Sequence, residues 1–190
     1  MPRNIYILCG GASTRMGTDK ALLELDNQTL LNRMWNRCFD AGFASCYLLS
    51  GTLEHGNPED HIPDYLPDAG PLGGVAGALD HTADSDIALI PVDMPMVKHT
   101  TLSFLAQNPL PKNIDALVGA DEHRLHPLIG IYASSLLPSL QNFLNRGERS
   151  VRGFLKNTRL KTFNLSLDET LNVNRPEDFE HAINQSDKYK

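Results

Sequence analysis

The sequence predicts an α/β domain in which helices cover both faces of a mostly parallel sheet, giving three α/β/α layers. Short apolar runs alternate with amphipathic stretches along the whole chain, and this alternation is typical of β-α-β units. A length of 190 residues suits one domain with a substantial buried core. We therefore expect a single domain over residues 1–190 that binds its ligands beyond the carboxyl ends of the strands.

Six apolar runs predict strands, at residues 5–8, 46–49, 87–91, 116–118, 128–132 and 161–165. Six amphipathic stretches predict helices, at residues 29–41, 72–81, 100–107, 134–146, 149–156 and 176–184. In the first helix, apolar side chains from Leu30 to Phe39 share one face at helical spacing, and Gly42 follows as a stop signal. Trp35 belongs to this stripe, so we expect it to pack in the core.

The composition excludes several classes of protein. A hydrophobic content of 41% and a formal net charge of −6 are those of an ordinary globular protein, and they argue against sequence-independent nucleic-acid binding. No apolar run approaches the length of a membrane span, and the chain leads directly into a predicted strand, so we expect neither a membrane span nor a signal peptide. The three cysteines have no metal-type spacing, so we expect reduced thiols and a cytoplasmic protein.

The first strand ends at a glycine pair, and a polar loop then carries Arg15 and Lys20 back towards the strand end. Gly10 and Gly11 let a ligand approach the backbone, and consecutive N–H groups in such a turn can bind an anion. Five residues separate Gly11 from Gly17, which excludes a P-loop, and the adjacent glycines exclude the dinucleotide fingerprint. The loop predicts a nucleotide phosphate site, with a plain glycine-rich turn as the alternative.

Asp93 follows the apolar strand predicted at residues 87–91. A single carboxylate at the carboxyl end of a strand, opposite a cationic phosphate loop, suits Mg²⁺, which prefers oxygen ligands. The alternative is that Asp93 only caps the turn that follows it.

A glycine-rich segment, Gly-Pro-Leu-Gly-Gly at residues 70–74, predicts a helix with a slim surface that faces a ligand or packs tightly on the sheet. Asp64 or Asp68, just before it, could accept hydrogen bonds from a base or ribose.

Polar residues in the second half of the chain suggest an acceptor site. Arg124 and His126 are candidates for acceptor contacts, whereas His123 and His126 on an extended segment point to opposite faces and do not predict a metal pair. Asn172 and Asn174 share one face before the last helix, although Asn174 could instead cap that helix. Arg149 could meet a second phosphate.

Together these motifs resemble the molybdenum cofactor guanylyltransferases of the nucleotidyltransferase superfamily, from Ile5 to about Phe179. The resemblance implies a Rossmann-like fold of the nucleotide-diphospho-sugar transferase type. It also implies transfer of GMP from GTP to molybdopterin or its molybdenum-loaded form, with Mg²⁺ and release of pyrophosphate. Cofactor-synthesis proteins and molybdoenzymes are the implied transient partners.

The resemblance assigns roles to individual residues. It implies nucleotide contacts for Cys9, Gly10, Gly11, Lys20, Ser50, Asp64 and Asp93, with Asp68 as the substitute for Asp64. It implies catalysis by Arg15, Lys20 and Asp93, with Asp93 also the metal ligand. It places His126, Asn172 and Asn174 in the acceptor half of the site. Arg124 and Arg149 are further acceptor candidates from the residues alone.

Three alternatives remain open at this stage. A cytidylyltransferase acting on the same pterin acceptor and a sugar-1-phosphate nucleotidyltransferase are the nearest. The Gly10-Gly11 pair favours guanine, because cytidylyltransferase relatives usually show Leu-Ala-Ala-Gly there. A non-catalytic nucleotide-binding adaptor is the third, and the presence of Arg15, Lys20 and Asp93 together argues against it.

Overall fold

A mostly parallel sheet forms the centre of the protein. The computed structural model describes residues 3–9, 19–49 and 56–186. The strands in these residues are β1 (Ile5–Leu8), β2 (Glu24–Leu25), β3 (Gln28–Thr29), β4 (Cys46–Leu49), β5 (His61–Ile62), β6 (Ile87–Pro91), β7 (Ala116–Ala120), β8 (Leu125–Tyr132) and β9 (Leu160–Asn164). Seven of them form one sheet in the order β5-β4-β1-β6-β8-β7-β9, while β2 and β3 pair as a separate hairpin.

Helices cover both faces of this sheet. Within the described ranges they are α1 (Leu30–Asp40), α2 (Pro71–Thr82), α3 (His99–Gln107), α4 (Leu137–Asn145), α5 (Val151–Leu155) and α6 (Pro176–Ser186). Helices α1 and α3 enclose one core, and α2, α4 and α5 enclose the other. In β1, Ile5 and Ile7 enter the first core while Tyr6 enters the second, because successive side chains of a strand point to opposite faces.

Strand β8 runs antiparallel to both of its neighbours, β6 and β7. The connection between β7 and β8 is only residues 121–124, which is too short for the crossover that parallel strands need. The start of β8 therefore lies at the same sheet edge as the carboxyl ends of β1 and β6. Between Val118 and Gly119 the β7–β8 register shifts from Gly130 to His126, so residues 127–129 leave the ladder.

The structure confirms the predicted fold class and every predicted strand and helix, with bounds shifted by a few residues. Strand β8 begins at Leu125 rather than at 128, and a 3₁₀ turn, Ser134–Leu136, precedes α4. Trp35 packs against the core as expected, but Phe39 is 49% exposed. The prediction that Phe39 belongs to the buried face of α1 is therefore wrong. No helix in the described ranges has both the length and the apolar character of a membrane span.

Candidate active site

The carboxyl ends of β1 and β6 open into a cleft of about 420 Å³. The two strands are parallel neighbours, with Leu8 in register with Pro91, and the N–H of Val92 donates to the carbonyl of Leu8 at 3.0 Å. This pairing brings Cys9 and Asp93 into the wall of one cleft. The site therefore lies at the edge where open α/β sheets bind ligands.

Lys20 joins two distant parts of the chain inside this cleft. Its Nζ lies 3.3 Å from Oδ2 of Asp93 and donates to Oδ1 of Asn174 at 2.5 Å. Asp19 fixes the position of this lysine, because its carboxylate caps the short 3₁₀ helix that begins at Lys20. Lys20, Asp93 and Asn174, which the sequence analysis takes from three separate motifs, are therefore in contact with one another through the ammonium group of Lys20.

Burial dominates the electrostatics of Asp93. Loss of water raises the pKa of its carboxyl, and the charge and hydrogen bond of Lys20 offset this only in part. The side chain is 21% exposed, towards the cleft. A buried carboxylate that one ammonium does not fully compensate gains from a second cation.

The segment before α6 is held against the backbone of Asp93. The N–H of Val173 donates to the carbonyl of Asp93 at 2.8 Å, and the flanking Asn172 and Asn174 both line the cleft. The carboxylate of Asp178 accepts the N–H of Asn174 at 2.9 Å at the start of α6. The Asn174 side chain contacts Lys20, so the prediction that it faces the site fits better than the capping alternative.

The oxygen donors of the cleft fit a hard cation. Oδ1 of Asn172 is buried and has no hydrogen-bond partner among the described residues. The described ranges contain no cluster of three or more His, Cys, Asp or Glu side chains that could hold a metal. Magnesium needs only one or two carboxylates, completed by phosphates and water. The carboxylate of Asp93 and the amide oxygen of Asn172, which line the same cleft, are oxygen donors of the kind that a hard cation such as Mg²⁺ takes.

The β7–β8 turn supplies the opposite wall of the cleft. Arg124 and His126 both line it, together with the residues of the bulge. The side chain of His126 is 7% exposed and that of His123 is 70% exposed. His123 lies in the turn before β8 and not on the extended segment that the sequence predicts, so only His126 belongs to the strand.

The sequence analysis suggests a phosphate contact for Arg149, but the structure places Arg152 in the cleft instead. The guanidinium of Arg149 donates to the carbonyls of Leu144 and Glu148, both at 2.8 Å, at the C-terminal end of α4. Arg152, on α5, lines the cleft instead, and Arg149 is not among the described residues that do so. A helix places residues three apart on one face, so the 149–156 stretch could have indicated Arg152 as well.

Cys9 contributes backbone and bulk to the site. Its N–H donates to the carbonyl of Leu49 at 2.9 Å, and its thiol contacts the carbonyl of Ile7 at 3.6 Å. Burial raises the pKa of the Cys9 thiol to about 12, with a further contribution from the charge of Asp19. The thiol is therefore neutral at physiological pH and unreactive. The predicted contacts of Gly10, Gly11, Arg15 and Ser50 fall outside the described residues.

Asp64 lies against the first turn of α2. A Cβ placed on Gly73 would come within 3.0 Å of Oδ2 of Asp64, so the helix needs glycine to approach this carboxylate. Burial raises the pKa of the Asp64 carboxyl. Asp68 is exposed and adopts a φ of +57° in the turn before the helix. Of the two candidates, Asp64 is the one held at the helix N-terminus.

Two residues that sequence reasoning missed hold the loop after Asp93. The guanidinium of Arg37, from α1, donates to the carbonyls of Pro95, at 2.9 Å, and Val97. Glu169 is 4% exposed and accepts the N–H of Lys98 at 3.1 Å, just before α3. Both contacts span about 60 or 70 residues of sequence, and no local pattern indicates them.

Comparisons with known proteins identify the family of the chain. Residues 5–162 match the model of the MobA-like NTP transferase domain. A probable molybdenum cofactor guanylyltransferase of Synechococcus elongatus is 31% identical, over 92% of this chain and 94% of its own. A similarly named protein of Flavobacterium johnsoniae is 27% identical, over 88% of both chains.

A solved structure shows the same fold. The crystal structure of molybdopterin-guanine dinucleotide biosynthesis protein A from Archaeoglobus fulgidus superposes with a TM-score of 0.83 at 21% identity. It covers 97% of this chain and 99% of its own. The family model spans most of the chain, and the site lies where the fold predicts it. The chain therefore belongs to the MobA-like NTP transferase domain family.

Proposed function

We propose that the protein transfers GMP from GTP to molybdopterin or the molybdenum cofactor and releases pyrophosphate. The observation that carries this proposal is the meeting of Lys20, Asp93 and Asn174 at the sheet edge. The same cleft is also lined by Arg124 and His126, which supports an acceptor site next to the nucleotide site. The names of the relatives support guanine as the base and this cofactor as the acceptor.

The chemistry follows from charge and position. An oxygen of the acceptor's phosphate attacks the α-phosphorus in line, and pyrophosphate leaves. No general base is needed, because the nucleophile is already an anion. Lys20 binds the triphosphate, and Arg15 is the second cation that we assign to it. Catalysis then consists of positioning and of neutralising negative charge.

Asp93 is the residue that would hold Mg²⁺, with the amide oxygen of Asn172 as a further polar group. When bound, Mg²⁺ supplies positive charge against the phosphate oxygens. Lys20 would then exchange part of its contact with Asp93 for the triphosphate. The ion pair at 3.3 Å supports this role, because it keeps the ammonium in the cleft before GTP arrives.

The acceptor binds, in this proposal, against the wall formed by the β7–β8 turn and α5. Arg152 joins Arg124 as a cation that faces this part of the cleft. The three cysteines, Cys9, Cys38 and Cys46, are free thiols, which supports a reducing compartment such as the cytoplasm.

Thermal unfolding with single nucleotides tests the first half of the proposal. The chain is melted with GTP, CTP, ATP or UTP, each with Mg²⁺, because a ligand that binds the native state raises the Tm by mass action. We expect the largest increase with GTP. A larger increase with CTP would favour a cytidylyltransferase. GTP binding without pyrophosphate release, when the acceptor is supplied, would favour a non-catalytic adaptor.

A further inference from the structure

Asp121 is a buried carboxylate in the turn between β7 and β8 that the mechanism above does not use. Its side chain is only 3% exposed. Oδ1 accepts the backbone N–H groups of His123, at 2.7 Å, and Arg124, at 2.8 Å. Oδ2 lies 2.6 Å from Nε2 of His126. One carboxylate therefore fixes the turn with one oxygen and the imidazole with the other.

The contact with His126 is charge-assisted. The hydrogen bond from His126 is the main reason that the pKa of Asp121 lies well below its usual range, and the two backbone N–H groups add to it. An ionised carboxylate can only accept hydrogen bonds, so Nε2 of His126 must carry a proton. Nδ1 then has no proton and is left to accept a hydrogen bond from a ligand in the cleft that His126 lines.

We propose that Asp121 is a positioning residue for the acceptor: it holds the His126 proton on Nε2 and sets both His126 and the backbone of Arg124 against the cleft. The inference rests on the proposed function for the identity of the ligand, the acceptor molecule, which must present a hydrogen-bond donor and not its anionic phosphate to Nδ1, because an unprotonated ring nitrogen only accepts. A carboxylate that orients an imidazole and fixes its tautomer is a general device at reactive sites. Asp121 does not touch the acceptor itself.

The variant Asp121→Asn separates positioning from a merely structural role. The amide oxygen of the new side chain can still accept the N–H groups of His123 and Arg124, which keeps the turn. The amide NH₂ then faces Nε2 of His126 and donates to it. We therefore expect the His126 proton to move from Nε2 to Nδ1.

Imidazole ¹⁵N NMR of the full chain measures which ring nitrogen of His126 carries the proton, and it needs no activity assay. The expected result is an Nε2–H tautomer in the wild type and an Nδ1–H tautomer in Asp121→Asn. His123→Gln is the matched control, because it removes an exposed histidine of the same turn, and it should leave the His126 signals in place. An unchanged His126 tautomer in Asp121→Asn would overturn the proposal.

Kinetics give a second readout. Loss of a charge-assisted hydrogen bond is expected to lower kcat/KM for the acceptor by about tenfold to hundredfold, while KM for GTP stays constant. Because Asp121 acts through His126, the double variant Asp121→Asn/His126→Gln should be no slower than His126→Gln alone. Additive losses, or an equal rise in KM for GTP, would overturn the positioning role.

The two proposals can fail separately. If the wild-type protein shows no transfer to the acceptor, the proposed function fails, and the NMR experiment still decides whether Asp121 controls His126. If Asp121→Asn does not fold, the wild-type NMR spectrum still tests the proposal, because an Nδ1–H tautomer of His126 would overturn it, and His126→Gln tests the acceptor contact. That variant should then raise KM for the acceptor with little change in Tm, whereas a lowered Tm with unchanged kinetics would contradict the proposal.

Discussion

The ionised side chain of Asp93 lowers the stability of the folded protein when no ligand is bound. Burial raises the pKa of its carboxyl despite the Lys20 ammonium 3.3 Å away. A carboxylate whose pKa is raised by folding lowers stability when it is ionised at neutral pH. A loss of stability of this kind is typical of a residue that binds a ligand, because a bound metal ion can compensate the negative charge that Lys20 leaves uncompensated.

The variant Asp93→Asn should separate function from stability. We expect guanylyl transfer to fall by at least about a hundredfold, since the metal loses its carboxylate. The Tm should stay the same or rise, because a buried charge is removed. Asp84→Asn, at an exposed position before β6, is the control. Unchanged turnover with saturating Mg²⁺ would contradict the role of Asp93.

The variant Lys20→Met tests the phosphate role of the lysine. It keeps the length of the side chain and removes its charge, so we expect GTP to bind about tenfold or more weakly. Guanosine, which has no phosphate, should bind as in the wild type. Isothermal titration measures both, with Lys161→Met on the exposed side of β9 as the control. Equal losses for GTP and guanosine would argue against a phosphate contact.

At the level of elements, the site depends on contacts between segments that are far apart in the sequence. Glu169 closes a capping box with Ser166 at the start of the 3₁₀ helix Leu167–Thr170. The same carboxylate accepts from Lys98 and Thr101 at the start of α3. It therefore joins the segment that leads to Asn172 and Asn174 to the segment that follows Asp93.

Glu169 should make stability depend on pH. Burial raises the pKa of its carboxyl, but the hydrogen bonds from Thr101, Ser166 and Lys98 outweigh this and leave it below its usual value of 4.5. The stabilisation is therefore present above pH 4.5 and is lost as the pH falls through the lowered pKa of the folded state.

We expect Glu169→Gln to lower the free energy of unfolding by about 1–3 kcal/mol at neutral pH. The difference from the wild type should shrink in acid, where the wild-type carboxyl is protonated too. Urea unfolding across this pH range measures it, with the exposed Glu59→Gln as control. A difference that is constant with pH would contradict the assignment.

Helix α2 carries small side chains where it packs closely against the segment around Pro63. A Cβ on Gly77 would lie 2.1 Å from the carbonyl oxygen of Pro63, next to Asp64. We expect Gly77→Ala to lower the free energy of unfolding by about 1–3 kcal/mol and to weaken GTP binding. Calorimetry and titration check this against Asp80→Ala, on the exposed side of the same helix. Full stability of Gly77→Ala would show that the contact is unimportant.

The sequence predicts the regular elements well and their long-range contacts poorly. Apolar runs and helical periodicity place the strands and helices, because each follows from burial of one face. The two-residue strands of β2, β3 and β5 are too short to show a period. The contacts of Arg37 and Glu169 are made across folded segments, so residue type alone does not indicate them. Asp121 contacts residues only two to five positions further along the chain, and the sequence analysis does not single it out.

At the scale of the whole molecule, the fold brings Lys20 and Asp93, predicted nucleotide contacts, to the same sheet edge as the predicted acceptor residue His126. Parallel strands β1 and β6 end there, and antiparallel β8 starts there, so residues from both halves of the chain line one cleft. In the proposed function, this arrangement would place the two anionic substrates next to each other. The central claim is that the cleft joins GMP to the molybdenum cofactor.

Product analysis after a competition among nucleotides tests this claim most directly. The full chain is incubated with the molybdenum cofactor, Mg²⁺ and equal amounts of GTP, CTP, ATP and UTP, and the products are identified by mass spectrometry. We predict a guanine dinucleotide of the cofactor, formed together with an equal amount of pyrophosphate. A cytosine dinucleotide as the main product, or unchanged nucleotides and cofactor after full incubation, would contradict it.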